Sequence, residues 1–460
     1  MCRNRRRRSL FFESVQHNRL PKDKQTKTKV KKKKLFCYNS LAMAVDSRDL
    51  ISTPSPIVEG WLKTFACGSG SFPALLLSTG ERATSPGFEH TLREICQQPA
   101  TWMDTARRLL DRRQAMAQAL DSCASLVLTG SGSSQYAGEC AAPFLRSSLG
   151  PSVTVAGGGD LLLNPTLASA GTPAVVVSLA RSGESPESIA VVQTLLETQP
   201  QTRHLIITCN ARSTLALEFA GIPRVTVVSL GDEVNDRSLV MTSSFTNLVL
   251  GASFLGWLDR TAEFPAVVDR VSRAAEQLLE TWPDCLSDFV SGEIRRIVFL
   301  SNRSRYGAAR EGALKLLEMT AGKLATMAET FLGLRHGPMC FLDDHTLVVC
   351  FLSANPVIRR YEEDLIRELC EKQLGARKLF AGVGEPGADL RGPEDLAVSY
   401  RLPADAMDFE MAVLDVMLAQ ILGFHRCRLE GLSPDSPSVD GVISRVVGEF
   451  QIHRPEVTAR

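Results

Sequence analysis

The stretch Ser125-Leu-Val-Leu-Thr-Gly-Ser-Gly-Ser-Ser134 decides the fold. Ser125–Gly130 is a short apolar run. A Gly/Ser loop follows, and a helix is expected from Ser134. The unit then recurs. Pro173–Ala180 (PAVVVSLA) is closed by RSGESPES and a helix through Glu197, and His204–Cys209 and Val225–Leu230 are further apolar runs. Continuous β-branched runs without polar alternation mark parallel strands covered on both faces. Strand–helix alternation predicts a doubly wound α/β sheet.

Further along, two long helices (Met241–Leu258 and Phe264–Val290) lead to a second set of strands. These are Arg296–Leu300, Leu347–Ser353, Lys378–Val383 and Ala397–Leu402. Leu128–Ala137 (LTGSGSSQYA) matches Leu300–Gly307 (LSNRSRYG), with Tyr136 and Tyr306 both opening helices. The expected architecture is therefore α/β, with two similar doubly wound parallel-sheet lobes. The first spans residues 90–277 and the second 278–455. A helical lead-in, Phe88–Gln98 and Thr101–Cys123, precedes the first strand, and the Gly-, Ser- and Pro-rich residues 43–89 read as a loose approach to it.

The 460 residues carry a formal charge of only +1, 44% hydrophobic residues and 22% charged ones, which excludes a mostly disordered or fibrous chain. The balance hides an asymmetry. Residues 1–42 carry a net +12 and the remainder −11. The basic segment reads as a solvated extension, or as translated sequence upstream of a start at Met43. Nucleic-acid binding would rest on that segment alone, and the acidic body opposes it. The most apolar long stretch, Leu239–Leu258, is interrupted by hydroxyls and Asn247, so no membrane span is expected. The twelve cysteines form no CxxC pair. Cys123, Cys140, Cys350 and Cys370 sit in apolar runs as small hydrophobes, so no metal site and a reducing, cytoplasmic setting are expected.

Three stretches carry chemistry. Thr129–Ser134 is a Gly/Ser loop between a strand and a helix, where amides, hydroxyls and the helix N-terminus favour an anion. Arg181-Ser-Gly-Glu-Ser185 repeats the arrangement and adds a cation. Two such loops in one lobe suggest one phosphate clamped from both sides, at the carboxyl ends of the strands. Neither loop matches a P-loop or a dinucleotide fingerprint. The third stretch is Arg310–Met319 with Leu334-Arg-His336-Gly-Pro338. Glu311, Lys315 and Glu318 share one helix face. Glu311–Lys315 reads as an ion pair on an exposed surface, whereas Glu318, set among Leu314, Leu316, Leu317 and Met319, reads as the buried carboxylate suited to proton transfer. His336 lies in a Gly/Pro-punctuated turn that Arg335 keeps open to solvent or ligand.

With ALKLLE and RHGP in the second lobe and SGSS and RSGES in the first, the chain resembles the sugar isomerase (SIS) family of phosphosugar-binding proteins. RSGESPES, DRSLVMTSS (236–244), Met319-Thr-Ala-Gly-Lys323 and SPDSPSVDGVISRVV (433–447) resemble its galactosamine-6-phosphate deaminase/isomerase group, also described as tagatose-6-phosphate ketose/aldose isomerases. The resemblance covers residues 90–455. It implies phosphate binding by Ser134, Ser182 and Ser185, with Ser133 adjoining and Arg181 standing where the family carries a neutral residue. It also implies Glu318 as the base moving a proton between C1 and C2, Lys315 as a site lysine, and His336 as the ring-opening acid/base, delivered by analogy from a neighbouring subunit. A homo-oligomer follows from that last assignment. The family's C-terminal lysine has no clear counterpart; Ser444 and Arg445 stand nearby, and arginine forms no Schiff base at ordinary pH. Thr242 and Ser243 are further candidate sugar contacts.

The resemblance implies a direction as well. With no glutamine-hydrolysing domain in the approach segment, the expected reaction releases nitrogen, converting galactosamine 6-phosphate and water to tagatose 6-phosphate and ammonia. It uses no metal or redox cofactor. Simple aldose/ketose isomerisation is the alternative within enzymes. A phosphosugar-sensing regulator, which would need the serine loops but not Glu318, Lys315 and His336, is the alternative outside them.

Overall fold

The computed structural model describes residues 55–79, 87–169, 171–302 and 305–453. The basic segment 1–42 lies outside the described residues. The approach segment is not loose throughout: it contains helices α1 (Pro56–Ala66) and α2 (Ser71–Thr79). In α1, Val58, Leu62 and Phe65 recur four and three apart, so one face is buried against the body. Helices α3 (Glu89–Cys96) and α4 (Gln98–Leu120) follow.

The first sheet is built from β1 (Ser125–Gly130), α5 (Ser133–Ser148), β2 (Ser152–Gly157), α6 (Gly158–Leu163), β3 (Ala174–Ala180), α7 (Pro186–Thr198), β4 (Arg203–Thr208), α8 (Thr214–Leu217) and β5 (Val225–Ser229). Helices α9 (Ser243–Ser253), α10 (Phe264–Thr281) and α11 (Pro283–Phe289) cross to the second sheet. That sheet contains β6 (Arg296–Ser301), α12 (Arg305–Met319), β7 (Ala325–Thr330), β8 (Thr346–Leu352), α13 (Pro356–Glu371), β9 (Arg377–Gly382) and β10 (Leu396–Ser399). A final helix, α14, runs from Asp408 to Leu429.

The strand orders are β2-β1-β3-β4-β5 and β10-β9-β8-β6-β7, and every pairing is parallel. Read from β7, the second order repeats the first with each strand shifted by five. The β1–β2 and β6–β7 ladders both span six residue pairs. The Tyr136/Tyr306 match thus falls on equivalent helices, α5 and α12, each following the strand at which its sheet reverses direction. The two helices pack together: a Cβ on Gly307 would lie 2.9 Å from the Tyr136 carbonyl and 2.8 Å from the Cys140 sulfur, so only glycine allows this approach.

Strands β2 and β7 are absent from the sequence reading because they are edge strands, only partly covered. Their residues (SVTVAG and ATMAET) lack the apolar continuity of the central strands. The helix expected over 264–290 is two helices. Pro283 has no amide hydrogen to continue α10 and instead starts α11.

One apolar core reaches from Leu126 and Val175 in the first sheet to Ile297 and Val349 in the second, through α4, α5, α9, α10, α12 and α14. Smaller clusters cover the opposite faces of both sheets. Helix α14 is buried from Phe409 to Cys427 without interruption. Its polar residues are partnered accordingly: Glu410 with Arg270, Asp415 with Arg305, and Gln420 with Gln98. Cys140 and Cys350 are fully buried and Cys123 and Cys370 half-buried; all four are free thiols. No described helix is long and apolar enough to cross a membrane.

Candidate active site

A cavity of about 470 Å³ opens at the carboxyl ends of β1 and β3, where the strand order of the first sheet reverses. Its floor is made by the two serine loops. Gly130 lets the first loop turn tightly, since a Cβ there would meet the Ser134 Cβ at 2.7 Å. Gly183 adopts φ +65° in the second, with Ser213 too close for any side chain. Helices α5 and α7 begin from these loops, so their positive ends face the cavity. Ser133, Ser134, Arg181, Ser182 and Ser185 all line it. Among the described residues the Ser134 hydroxyl meets just the Met241 sulfur at 3.9 Å, and Ser185 makes no side-chain cap on α7. These hydroxyls retain hydrogen-bonding capacity for a ligand.

The far wall comes from the second lobe. Helix α12 presents Leu314, Lys315 and Glu318 to the cavity. Lys315 Nζ donates to Glu318 Oε2 at 2.5 Å and to Ser133 Oγ at 3.3 Å, and lies 3.3 Å from Glu311 Oε1. The sequence reading of this face is reversed. Glu311 and Lys315 are fully buried, whereas Glu318 keeps 22% of its side chain exposed. The reason lies on the same helix: Gly307, Ala308, Ala309, Gly312 and Ala313 draw it tightly against its neighbours, carrying Glu311 and Lys315 inward. Burial pushes the Glu311 carboxyl up to about 7 against the pull of Lys315. Burial also opposes the Lys315 charge, but Glu311 and Glu318 outweigh it and hold the ammonium above its ordinary value.

Arg181 lines the cavity with its guanidinium committed to backbone. It donates to the carbonyls of Leu239 (2.9 Å), Ser238 (3.4 Å) and Arg445. Burial lowers its pKa, with Asp236 acting against that and Arg445 adding to it. Arg445 belongs to the irregular segment after α14, which closes one side of the cavity through Val442, Ile443, Ser444, Arg445 and Val447. Arg445 donates to the Asp236 carbonyl (2.7 Å) and to Asn235 Oδ1 (2.7 Å), tying that segment to the loop after β5.

Three sequence candidates are not brought into this cavity. Thr242 and Ser243 are fully buried and cannot be sugar contacts here. The Thr242 amide donates to Asp236 Oδ2 and the Ser243 hydroxyl to Asp236 Oδ1, so they fix the start of α9. His336 ends a one-turn helix, Gly333–His336, exposed on the second lobe and not lining the cavity of this chain. Its neighbour Arg335 is drawn off to Glu368 on α13 at 2.7 Å.

Sequence reasoning also passes over Glu94 and Asp236. Asp236 accepts the amides of Thr242 and Ser244 and the hydroxyls of Ser243 and Ser244. Glu94, on α3, accepts the amides of Arg237 and Ser238 and bonds the hydroxyls of Ser238 and Thr242. Burial, and then the nearby Asp236, push its carboxyl up to about 8. No sequence signal marks either residue beyond its charge. Among the described residues, no cluster of His, Cys, Asp and Glu could hold a metal ion.

Twin parallel sheets with a strand-end cavity between serine loops define a class. The family model described as SIS domain matches residues 119–226, which span β1 to β5. The D-galactosamine-6-phosphate deaminase AgaS of Escherichia coli is 33% identical over 376 residues, covering 79% of this chain and 95% of that protein. A Streptomyces coelicolor protein carrying the same AgaS name is 36% identical over 377 residues, covering 79% of this chain and 95% of its own. The solved tagatose-6-phosphate ketose/aldose isomerase of Escherichia coli superposes with a TM-score of 0.68 at 30% identity, over 79% of this chain and 97% of that one. The chain belongs to the AgaS family of SIS-domain proteins.

Proposed function

We propose that this chain is a phosphosugar enzyme that converts galactosamine 6-phosphate and water to tagatose 6-phosphate and ammonia. The observation carrying the reading is that both serine loops and the Lys315–Glu318 pair, from different lobes, line a single cavity. The likeness to proteins named galactosamine-6-phosphate deaminase supports the choice of sugar.

In this reading the phosphate sits on the Ser133–Ser134 and Ser182–Ser185 loops, held by hydroxyls, amides and the starts of α5 and α7. The sugar then extends toward α12. Once the ring is open, Glu318 removes the C2 proton and delivers it to C1. The C2 amine becomes an imine, water adds to C2, and ammonia leaves to give the ketose. Lys315, kept charged by its two carboxylates, stabilises negative charge developing on the substrate oxygen and fixes the Glu318 rotamer. Ring opening falls to His336. Because His336 does not line its own chain's cavity, it serves the cavity of a second copy, and the active form is a homo-oligomer.

A second reading, isomerisation of a phosphosugar without loss of nitrogen, is favoured by the likeness to the Escherichia coli protein named as a tagatose-6-phosphate ketose/aldose isomerase. Ammonia release decides between them. Purified protein given galactosamine 6-phosphate should release ammonia, with less from glucosamine 6-phosphate. Glu318→Gln should lower the rate about 10²–10⁴-fold, the range of a general acid/base group. Ketose formation without ammonia would favour the isomerase instead. Neither product, with phosphosugar binding intact, would reject both.

A further inference from the structure

We infer that Glu94, on lead-in helix α3, is a positioning residue for the phosphosugar cavity, acting through the 236–239 loop on Arg181. The inference rests on the reading of the strand-end cavity as the phosphosugar site. Glu94 does not line that cavity. It lies behind the loop that supplies the acceptors of Arg181 and is only 5% exposed.

The bonds are specific. Glu94 Oε1 accepts the amides of Arg237 (2.5 Å) and Ser238 (3.2 Å), while Oε2 meets the Ser238 hydroxyl and lies 3.3 Å from the Thr242 hydroxyl. One peptide further on, the carbonyls of Ser238 and Leu239 hold the Arg181 guanidinium. The preceding carbonyl, that of Asp236, holds Arg445 from the closing segment. Glu94 thus sets, from outside, the position of the one cationic side chain among the two serine loops and of the wall beside it.

The geometry suits a protonated acid. Ser238 Oγ lies 3.1 Å from the Val240 carbonyl as well as against Glu94 Oε2. A hydroxyl has a single hydrogen. With the proton on Oε2, Glu94 donates to Ser238 and Ser238 donates to Val240, so every group is satisfied. Burial, which pushes this carboxyl to about 8, favours the same state. A glutamine whose Nε2 takes the place of Oε2 keeps the acceptor for the two amides and the donor to Ser238. Alanine removes it, and aspartate, one methylene shorter, cannot span it. Without Glu94 the amides of Arg237 and Ser238, the latter buried, lose their acceptor, and the loop must move to satisfy them.

The test measures binding of galactitol 6-phosphate, which has no carbonyl to isomerise, to the full-length protein, alongside thermal midpoints and steady-state rates. Glu94→Ala and Glu94→Asp should each raise Kd about tenfold or more, the scale of one hydrogen bond lost between the displaced site and the charged phosphate. Turnover of galactosamine 6-phosphate at saturation should stay within about threefold, a change in uniform binding rather than in chemistry. Glu94→Gln should hold Kd within about threefold of the unaltered protein. In an Arg181→Ala background, Glu94→Asp should change Kd by less than about twofold, because coupled sites are not additive. If Glu94→Asp lowers the thermal midpoint and leaves Kd alone, or raises Kd equally with and without Arg181, the inference is overturned. Should Glu94→Ala fail to fold, the aspartate and glutamine variants decide. Binding without ammonia release in the unaltered protein would overturn the deaminase reading alone, and absence of binding would overturn both.

Discussion

The two lobes share a strand order and differ at the place where that order reverses. In the first, the carboxyl ends of β1 and β3 open onto a cavity of about 470 Å³ floored by serines. In the second, the described residues at the equivalent ends of β6 and β8 enclose no cavity able to hold a water molecule. Arg305, the first residue of α12, fills that position. It bonds Asp415 through two nitrogens at 2.7 and 2.6 Å and donates to the carbonyls of Leu352 and Ala381. Tyr400 adds a hydrogen bond to Asp415 at 2.8 Å, and Glu362 closes the side by accepting from Asn302 and from the Ser353 amide. A duplicated scaffold thus yields one open cavity and one internal plug. The lobe with the filled strand end contributes instead through the face of α12 that carries Lys315 and Glu318 across to its twin. Fold repetition alone does not imply two sites.

The sharpest way to break this comparison is to pull the plug. Asp415→Asn keeps the shape but removes the counter-charge hydrogen-bonded to buried Arg305, and should cost about 3–5 kcal/mol, measured by urea denaturation. A loss below about 1 kcal/mol would mean that Arg305 is not the structural centre of the second lobe, and that its cavity was closed by something else. A smaller effect separates the loops. Ser134→Ala should weaken phosphosugar binding about tenfold in a calorimetric titration, within the range for a hydrogen bond to a charged group. Asn302→Ala, at the matching strand end of the second lobe, should leave that Kd unchanged. Equal effects on binding would show that both lobes bind.

The smallest effect is a slope. The folded-state pKa of Glu311 is raised from 4.5 to about 7, so its proton-linked stability is fully present below pH 4.5 and lost as pH rises through about 7. Glu311→Gln should flatten that part of the urea-midpoint profile between pH 5 and 8. An unchanged slope would place the linkage on another group.

The central strands were legible because they are covered on both faces: β1, β3, β4, β6, β8 and β9 are near-continuous apolar runs, and each fell within a residue of its expected bounds. The edge strands β2 and β7 carry no such signature, since half-exposed residues are free to be polar. The serine loops were legible from small residues between strand and helix. The faces of α12 were not. Adjacent leucines suggested that Glu318 is the buried acid, while the glycines and alanines that draw Glu311 and Lys315 inward act through a neighbour, α5, which one-dimensional spacing does not reveal. Thr242 and Ser243 were misread for the converse reason. Asp236 takes the Ser243 hydroxyl from seven residues away, and Glu94 meets the Thr242 hydroxyl from a distant helix. Glu94 was invisible because the amides and hydroxyls it bonds, from Arg237, Ser238 and Thr242, are brought to it only by the fold.

Helix α14 bears on how the chain can be divided. It comes last among the helices, yet it lies buried along 19 consecutive residues, Phe409 to Cys427, in the core that both sheets share. A nascent chain that has completed the ten described strands therefore still lacks the segment that seals both lobes. Any fragment ending before Asp408 would present two bare apolar faces to solvent, and expression of either lobe by itself should give aggregated material. The practical unit of this protein, for engineering or for exchange between relatives, is the whole pair of sheets with its last helix in place.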